Sequence, residues 1–330
     1  GVANLSECCR LSFALTSEDL VEAATPWKMR FCAMQNVTIN LPRLAYRSGG
    51  DATLLFGLLD EVMELAGKAH LQKRRFIEEI LALGAKGPLA VLCVDHDGEA
   101  YLRLRKSAFL VGILGVNEMV RFLTGKELHE ASEAMELGLA VVRYMQLKCD
   151  QLAERYGLKI VLEQTPAEST AHRMARLDLR DFAELAAGTV RGNPAKGDVY
   201  YTNSTHFPYE LPMDPITRVL EEGRFHPMIN AGAITHVWMG EHRPDPGALA
   251  SFVRKTFDGT ESAQLAFSPE FTVCNDCGRV VRGLKECCSS CGSSSVDGIT
   301  RITGYFTRTS SWNAGKRAEL RDRRRTPVGA

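Results

Sequence analysis

Cys274-Asn275-Asp276-Cys277 and Cys288-Ser289-Ser290-Cys291 are two CxxC pairs with ten residues between them, and they constrain the folding of this chain more than any other feature. A CxxC turn presents two sulfurs on one side of a tight loop. Two such turns at this spacing make a four-thiolate zinc knuckle, tetrahedral with Zn–S of about 2.3 Å. Gly278, Gly283 and Gly292 supply left-handed corners for such loops. Cys287 abuts the second pair, but Cys288 is the residue that completes a CxxC with Cys291. Four protein ligands close the coordination sphere, so the expected Zn2+ is structural. An unligated or redox-active thiol cluster is the blander alternative.

The chain has 330 residues, 45% of them hydrophobic, enough for one large or two ordinary domains. Its 40 basic and 40 acidic side chains cancel, which gives no electrostatic case for nucleic acid or a membrane surface. A zinc ribbon is also a common nucleic-acid module. Here Arg279, Arg282 and Lys285 are few and no aromatic residues interleave with them, so a nucleic-acid-binding protein is the weaker reading. No apolar run approaches the roughly 18 residues of a spanning helix. Ten cysteines without a secretory signal imply reduced thiols in a cytoplasmic setting. The opening Gly1-Val2-Ala3-Asn4 reads as the start of a fragment or processed chain.

Residues 1–50 read as irregular or extended, with a strand at 36–41 ended by Pro42. A long helix is expected from 51 to about 84, with Leu54, Leu55, Leu58, Leu59, Val62 and Leu65 on one face. Stretches 91–94 and 101–104 flank Asp97-Gly98 as a hairpin. The apolar run 109–114 suits a buried parallel strand. Helical patterns follow from about 116 to 157, then strand over 159–162. Further on come a strand at 200–201, a helix at 215–222, a strand at 235–239 and a helix at 245–257. This alternation predicts an α/β fold with a mostly parallel sheet. A cysteine-rich module from 266 to 300 separates the segment 1–265 from a tail at 301–330.

Thr165-Pro166-Ala167-Glu168-Ser169-Thr170 follows a strand and precedes a helix. Thr165 is the expected N-cap, with Glu168 three residues on as its capping-box partner. Free N–H groups at that start make Thr165, Ala167, Glu168 and Ser169 candidate contacts for substrate phosphates, with ordinary capping as the alternative. Asn36, in the strand before Pro42, reads from the residues alone as a buried polar group of structural purpose. His206, His226 and His236 adjoin apolar runs and read as core or loop groups. Cys93 and Cys149 read as buried fillers, and Arg321 to Arg325 as a solvated helix end.

Thirteen residues past Cys291, Gly304 stands in Arg301-Ile302-Thr303-Gly304-Tyr305-Phe306, followed by Trp312-Asn313 and Gly315-Lys316. A glycine Cα radical is unusually stable, because the flanking amide donates and the carbonyl withdraws electron density. The carbon can also become planar without a side chain to resist it. This stretch resembles the C-terminal signature of the anaerobic (class III) ribonucleotide reductases. The likeness extends to Val111-Gly112-Ile113-Leu114-Gly115-Val116-Asn117-Glu118, Thr165 to Ser169, Tyr201-Thr202-Asn203-Ser204-Thr205-His206 and Asn230 to Trp238.

The resemblance implies the C-terminal part of a ten-stranded glycyl-radical-enzyme α/β barrel, with a finger loop at about residues 1–25. It implies that Cys9, in Ser6-Glu7-Cys8-Cys9-Arg10, relays the radical from Gly304 to substrate. Implied partners are a ribonucleoside triphosphate, a radical-SAM activase that takes hydrogen from Gly304 and that the basic tail would help grip, and formate or a thioredoxin-like reductant. A homodimer is also expected, and the resemblance implies that the strand carrying Asn36 lines the active site, with Asn36 a candidate for orienting substrate or reductant. Thr303 stands where some relatives carry Cys, and Cys32 is a candidate for a dithiol scheme. Another glycyl radical enzyme, of the pyruvate formate-lyase type, shares a tandem cysteine like Cys8-Cys9 but does not account for the four-cysteine knuckle.

Overall fold

The computed structural model of the chain describes residues 4–6, 11–96 and 98–327. Its centre is a parallel sheet of three strands, with Ser107–Leu114 between Cys32–Asn40 and Lys159–Glu163. Every residue of Ser107–Leu114 is buried, as a central strand covered on both faces requires. Its two faces do different work. Phe109, Val111 and Ile113 pack with Leu55, Leu59 and Met63 of the helix Ala52–Leu81 and with Val142 and Met145 of Ser132–Tyr156. Ala108 and Leu110 face the other way and meet Leu11, Phe13, Met29 and Phe31. Gly112 falls on this second face.

The chain then lengthens that edge. Ala231 N–H donates to Leu162 O at 2.9 Å, and Gln164 N–H donates to Gly232 O at 3.3 Å. Ser12 N–H in turn donates to Ala231 O at 2.8 Å, which docks the hairpin of Asn4–Ser6 and Ser12–Ala14 beside the sheet. Thr235–Gly240 and Leu265–Pro269 form a separate parallel pair. A four-stranded antiparallel sheet follows, in the order Val280–Arg282, Phe271–Cys274, Val296–Arg301, Phe306–Arg308. The helix Ala314–Asp322 closes the described chain.

The fold is mixed α/β as expected, with differences of local cause. Among the described residues the sheets are small and none closes on itself. The strand expected at 36–41 begins at Cys32, and Leu41 already starts the helix Leu41–Arg47, since Pro42 needs no N–H in a first helical turn. The helical stretch expected over 116–157 comprises two helices, Val116–Thr124 and Ser132–Tyr156, parted after a left-handed Gly125. The expected hairpin arms at 91–94 and 101–104 shrink to Asp95–His96 and Glu99–Ala100, with the 3-10 turn Ala90–Cys93 before them. Asp198–Tyr200 pairs with Arg191–Asn193 in an antiparallel hairpin rather than extending the parallel sheet. Among the described residues no helix is long and apolar enough to cross a membrane.

A buried ionic cluster pins the segment carrying Thr202 to Phe207 against the helix Pro215–Gly223. Glu222 Oε2 lies 3.1 Å from His206 Nδ1, and Oε1 accepts from Phe207 N–H at 3.0 Å and Arg218 Nη1 at 3.1 Å. Burial alone would raise the Glu222 carboxyl, but His206 and Arg218 outweigh it and hold it at about 2, below its ordinary 4.5. A carboxyl lowered in the folded state stabilises fully above its unfolded value, and that stability is lost as pH falls through the folded value. Unfolding free energy should therefore drop by a few kcal/mol between about pH 5 and pH 2 through this group. Glu222→Gln should flatten that part of the profile in denaturant titrations; an unchanged acid slope would refute the assignment.

Candidate active site

Gly304 sits in the connection between two paired strands. Arg301 is opposite Phe306 in the antiparallel ladder, and Ile302 N–H donates to Tyr305 O at 2.9 Å, leaving residues 302–305 as the hairpin loop. Arg301 Nη1 donates to Gly304 O at 2.6 Å, and its guanidinium lies 5.1 Å from the Phe306 ring centre. Tyr305 is exposed, while Thr303 beside Gly304 is buried.

Behind the loop stands a triad of buried charges on one helix face. Lys316 Nζ donates to Thr303 Oγ1 at 3.1 Å and to Glu319 Oε2 at 2.6 Å. Arg323 donates to Glu319 Oε1, Arg301 O and Ile302 O, each at 2.8 Å. The spacing i, i+3, i+7 places all three on one side of the turn. Burial pulls the Lys316 ammonium's pKa down. It would raise the Glu319 carboxyl, but Lys316 and Arg323 override it and hold the carboxyl low. The Arg323 guanidinium stacks 3.8 Å from the Trp238 ring centre and 5.2 Å from that of Trp312. Removing one member of such a set leaves an uncompensated buried charge, a cost of about 3–5 kcal/mol. The basic stretch 321–325 is thus a solvated end only in part: Arg321 and Arg324 are exposed, as expected. Arg323 is buried, Arg325 pairs with Glu270 at 2.8 Å, and Arg321 pairs with Asp198.

A second polar group lies across the central sheet. Thr38, Gly112 and Glu163 are opposite one another in register. Asn36, two residues before Thr38, donates through Nδ2 to Glu163 Oε2, and Thr165 Oγ1 lies 3.4 Å from both Asn36 Nδ2 and Thr38 Oγ1. A Cβ on Gly112 would stand 1.7 Å from Thr165 Oγ1 and 2.6 Å from Asn36 Oδ1, so this face tolerates only glycine there. The sheet therefore brings Asn36 and Thr165 together, as candidates chosen from sequence alone, and adds Glu163 and Thr38. Sequence reasoning missed these two because register, not spacing, creates the meeting.

The turn 165–169 differs from its expected form. The helix begins at Thr170 with Ser169 as N-cap and no side-chain capping bond, so Thr165 and Glu168 make no capping box. Thr165 is instead drawn into the sheet cluster. Ala167, buried, takes a φ of +50°, which bends the chain sharply enough to delay the helix. Two asparagines hold the turn. Asn203 Nδ2 donates to Pro166 O at 2.7 Å, and Asn313 Nδ2 donates to Glu168 O at 2.8 Å. Asn313 also caps the helix that carries the triad, accepting from Lys316 N–H at 2.9 Å. One side chain thereby links the Gly304 side to the 165–169 turn. Cys9 and Cys8 lie outside the described residues. His206, His226 and His236 are buried, as expected of core groups.

The four knuckle cysteines converge. Their sulfurs all lie within 4.8 Å of one another, with Cys274–Cys291 at 3.6 Å and Cys277–Cys288 at 3.7 Å. A tetrahedron with Zn–S of about 2.3 Å has edges of about 3.8 Å, so the donor set and its size fit zinc. The thiols share protons: N–H groups of Cys291 and Ser290 hold the Cys288 thiol below its ordinary value, while hydrogen bonds with Cys274 and Cys277 raise that of Cys291. Cys287 is exposed beside the cluster. Cys32 Sγ rests 3.0 Å from Ser107 Oγ, and burial pushes the Cys149 thiol well up.

The profile of a family described as anaerobic ribonucleoside-triphosphate reductase matches residues 2–325. The reductase of that name from Salmonella typhimurium is 28% identical over 310 residues, covering 87% of this chain and 41% of its own length. That of Enterobacteria phage T4 is 25% identical over 308 residues, covering 87% and 47%. A crystal structure of the anaerobic ribonucleotide reductase from Thermotoga maritima, with glycerol in the active site, aligns with a TM-score of 0.71. It is 25% identical and covers 88% of this chain and 45% of that one. A further anaerobic ribonucleotide reductase, at 24% identity, shares the fold with a TM-score of 0.75 over 91% of this chain and 46% of its own. The chain thus spans less than half the length of the curated relatives it matches. With a matching profile from one end to the other, a shared fold, and a glycine hairpin hung on a four-cysteine sheet, the chain belongs to the anaerobic ribonucleoside-triphosphate reductase family.

Proposed function

We propose that this chain forms the C-terminal catalytic portion of an enzyme that reduces ribonucleoside triphosphates to deoxyribonucleoside triphosphates by radical chemistry. The observation that carries this reading is the placement of Gly304. It sits in a hairpin loop clamped by Arg301 and the Lys316–Glu319–Arg323 triad, and it is tied through Asn313 to the 165–169 turn. A radical-SAM activase removes a hydrogen atom from Gly304 Cα. Gly304 then takes the hydrogen of the Cys9 thiol, and the Cys9 thiyl takes the ribose 3′-hydrogen. The 2′-hydroxyl leaves as water, formate or a thioredoxin-like dithiol supplies two electrons, and the 3′-hydrogen returns from Cys9. The chain's share is positioning and the exclusion of water and oxygen.

In this reading the three-stranded sheet and its neighbours are one side of a ten-stranded barrel completed by further sequence. The dimer and the cytoplasmic setting belong to the same proposal. Asn36, backed by Glu163, orients a ribose hydroxyl, while the turn at Thr165, Ala167, Glu168 and Ser169 takes the phosphates. Zinc held by Cys274, Cys277, Cys288 and Cys291 fixes the base of the sheet whose last two strands carry Gly304. Its role is structural, and no chemical step passes through it.

Three outcomes follow for the full-length protein. Anaerobic activation should give a glycyl doublet by EPR that Gly304→Ala abolishes; no doublet in either protein would refute the reading. Asn36→Ala should keep the wild-type radical yield yet slow ribonucleotide turnover about 10- to 100-fold, the loss of one or two hydrogen bonds' worth of stabilisation. Equal turnover would remove Asn36 from the site. Cys288→Ser should bring zinc, measured by elemental analysis, from about one per chain to near zero and lower the thermal midpoint. Retained zinc would mean that the metal lies elsewhere.

A further inference from the structure

The three cations around the glycine loop are not equivalent. Lys316 meets the Thr303 hydroxyl, and Arg323 meets the carbonyls of Arg301 and Ile302. Arg301 alone of the three donates to the carbonyl of Gly304 itself, at 2.6 Å. The bond is held from several sides. The Arg301 guanidinium lies over the Phe306 ring, and its backbone carbonyl is fixed by Arg323 Nη1 at 2.8 Å. Pairing of Arg301 with Phe306 keeps the side chain level with the loop it reaches across.

An α-carbon radical in a peptide persists because the amide nitrogen pushes electron density and the carbonyl pulls it. Anything that strengthens the pull of that carbonyl moves spin off the α-carbon and lowers the energy of the radical. A guanidinium keeps its charge at any pH the protein survives, and a charge-assisted bond is roughly twice as strong as a neutral one. From this geometry we infer that Arg301 is an electronic positioning residue, one that polarises the Gly304 carbonyl and sets how stable, and how delocalised, a radical on Gly304 is. The inference rests on the radical reading above and gives Arg301, already part of the clamp, a second role. Lys316 and Arg323 only hold the loop in place, whereas Arg301 also acts on the electrons of the radical.

The consequence reaches the relay. The more stable the Gly304 radical, the more the equilibrium with the Cys9 thiol favours glycine at rest. The thiyl is then formed sparingly and only as substrate consumes it. Weakening the Arg301 bond raises the energy of the stored form and shortens its life.

The test is EPR on the full-length enzyme activated anaerobically, with wild type, Arg301→Lys and Arg301→Gln compared at matched spin counts and the thermal midpoint recorded for each. Lysine keeps a cationic donor and glutamine keeps only a neutral one. The expected result is an α-hydrogen splitting that widens from wild type through Arg301→Lys to Arg301→Gln, with per-spin decay several-fold faster in Arg301→Gln. Splitting and decay equal to wild type in Arg301→Gln overturn the inference. So does absence of the doublet from both variants at an unchanged thermal midpoint, because Arg301 would then be needed for activation rather than for tuning. A wild type without any doublet overturns the radical reading itself, a result these variants cannot mimic.

Discussion

The contact between Arg323 and its surroundings holds the C-terminal third together. This one buried guanidinium stacks on Trp238 of the parallel strand pair, packs near Trp312, pairs with Glu319 on its own helix and binds two carbonyls of the glycine hairpin. A guanidinium can do this because it is planar, carries five donors and is weakly enough hydrated to be buried. A lysine in its place would offer a point charge and no stacking face. Glu319 makes the burial possible by balancing both Arg323 and Lys316. The hairpin is therefore fixed to the body through charges that have nowhere else to go.

Much of this was legible in the sequence, and the unread part has physical causes. The CxxC spacing anticipates the sulfur cluster, because a local turn dictates where both thiols of a pair lie. The apolar run at 109–114 anticipates a doubly covered strand, since burial on both faces removes any alternation. Long-range register is different in kind. Nothing in the spacing of Thr38, Gly112 and Glu163 says that they meet, and their meeting diverts Thr165 from the helix cap that its Thr-x-x-Glu pattern suggests. The basic run at 321–325 misleads in part, for a related reason: Arg321 and Arg324 do face solvent, while Arg323 and Arg325 turn to partners that composition does not reveal, Glu319 and Glu270.

The two asparagines at 203 and 313 show how a turn without regular secondary structure is kept in place. Each spends its amide N–H on a carbonyl of the turn, at Pro166 and Glu168. Backbone carbonyls in such a bend have no ladder to join, and side-chain amides from neighbouring segments supply what a sheet or helix would otherwise provide. The turn's conformation is consequently set by residues outside it.

The strand Val296–Arg301 joins the two features of the C-terminal region, pairing Val296 with Cys274 at one end and Arg301 with Phe306 at the other. Strand side chains alternate faces, so a slip of one residue would turn every one of them over. The hairpin carrying Gly304 would turn over with the strand and present its other face to Arg323 and Lys316. Sulfurs gathered at the Cys274 end act as a stop against that slip. The cluster thus works as a phase reference, and what reaches Gly304 along the strand is parity.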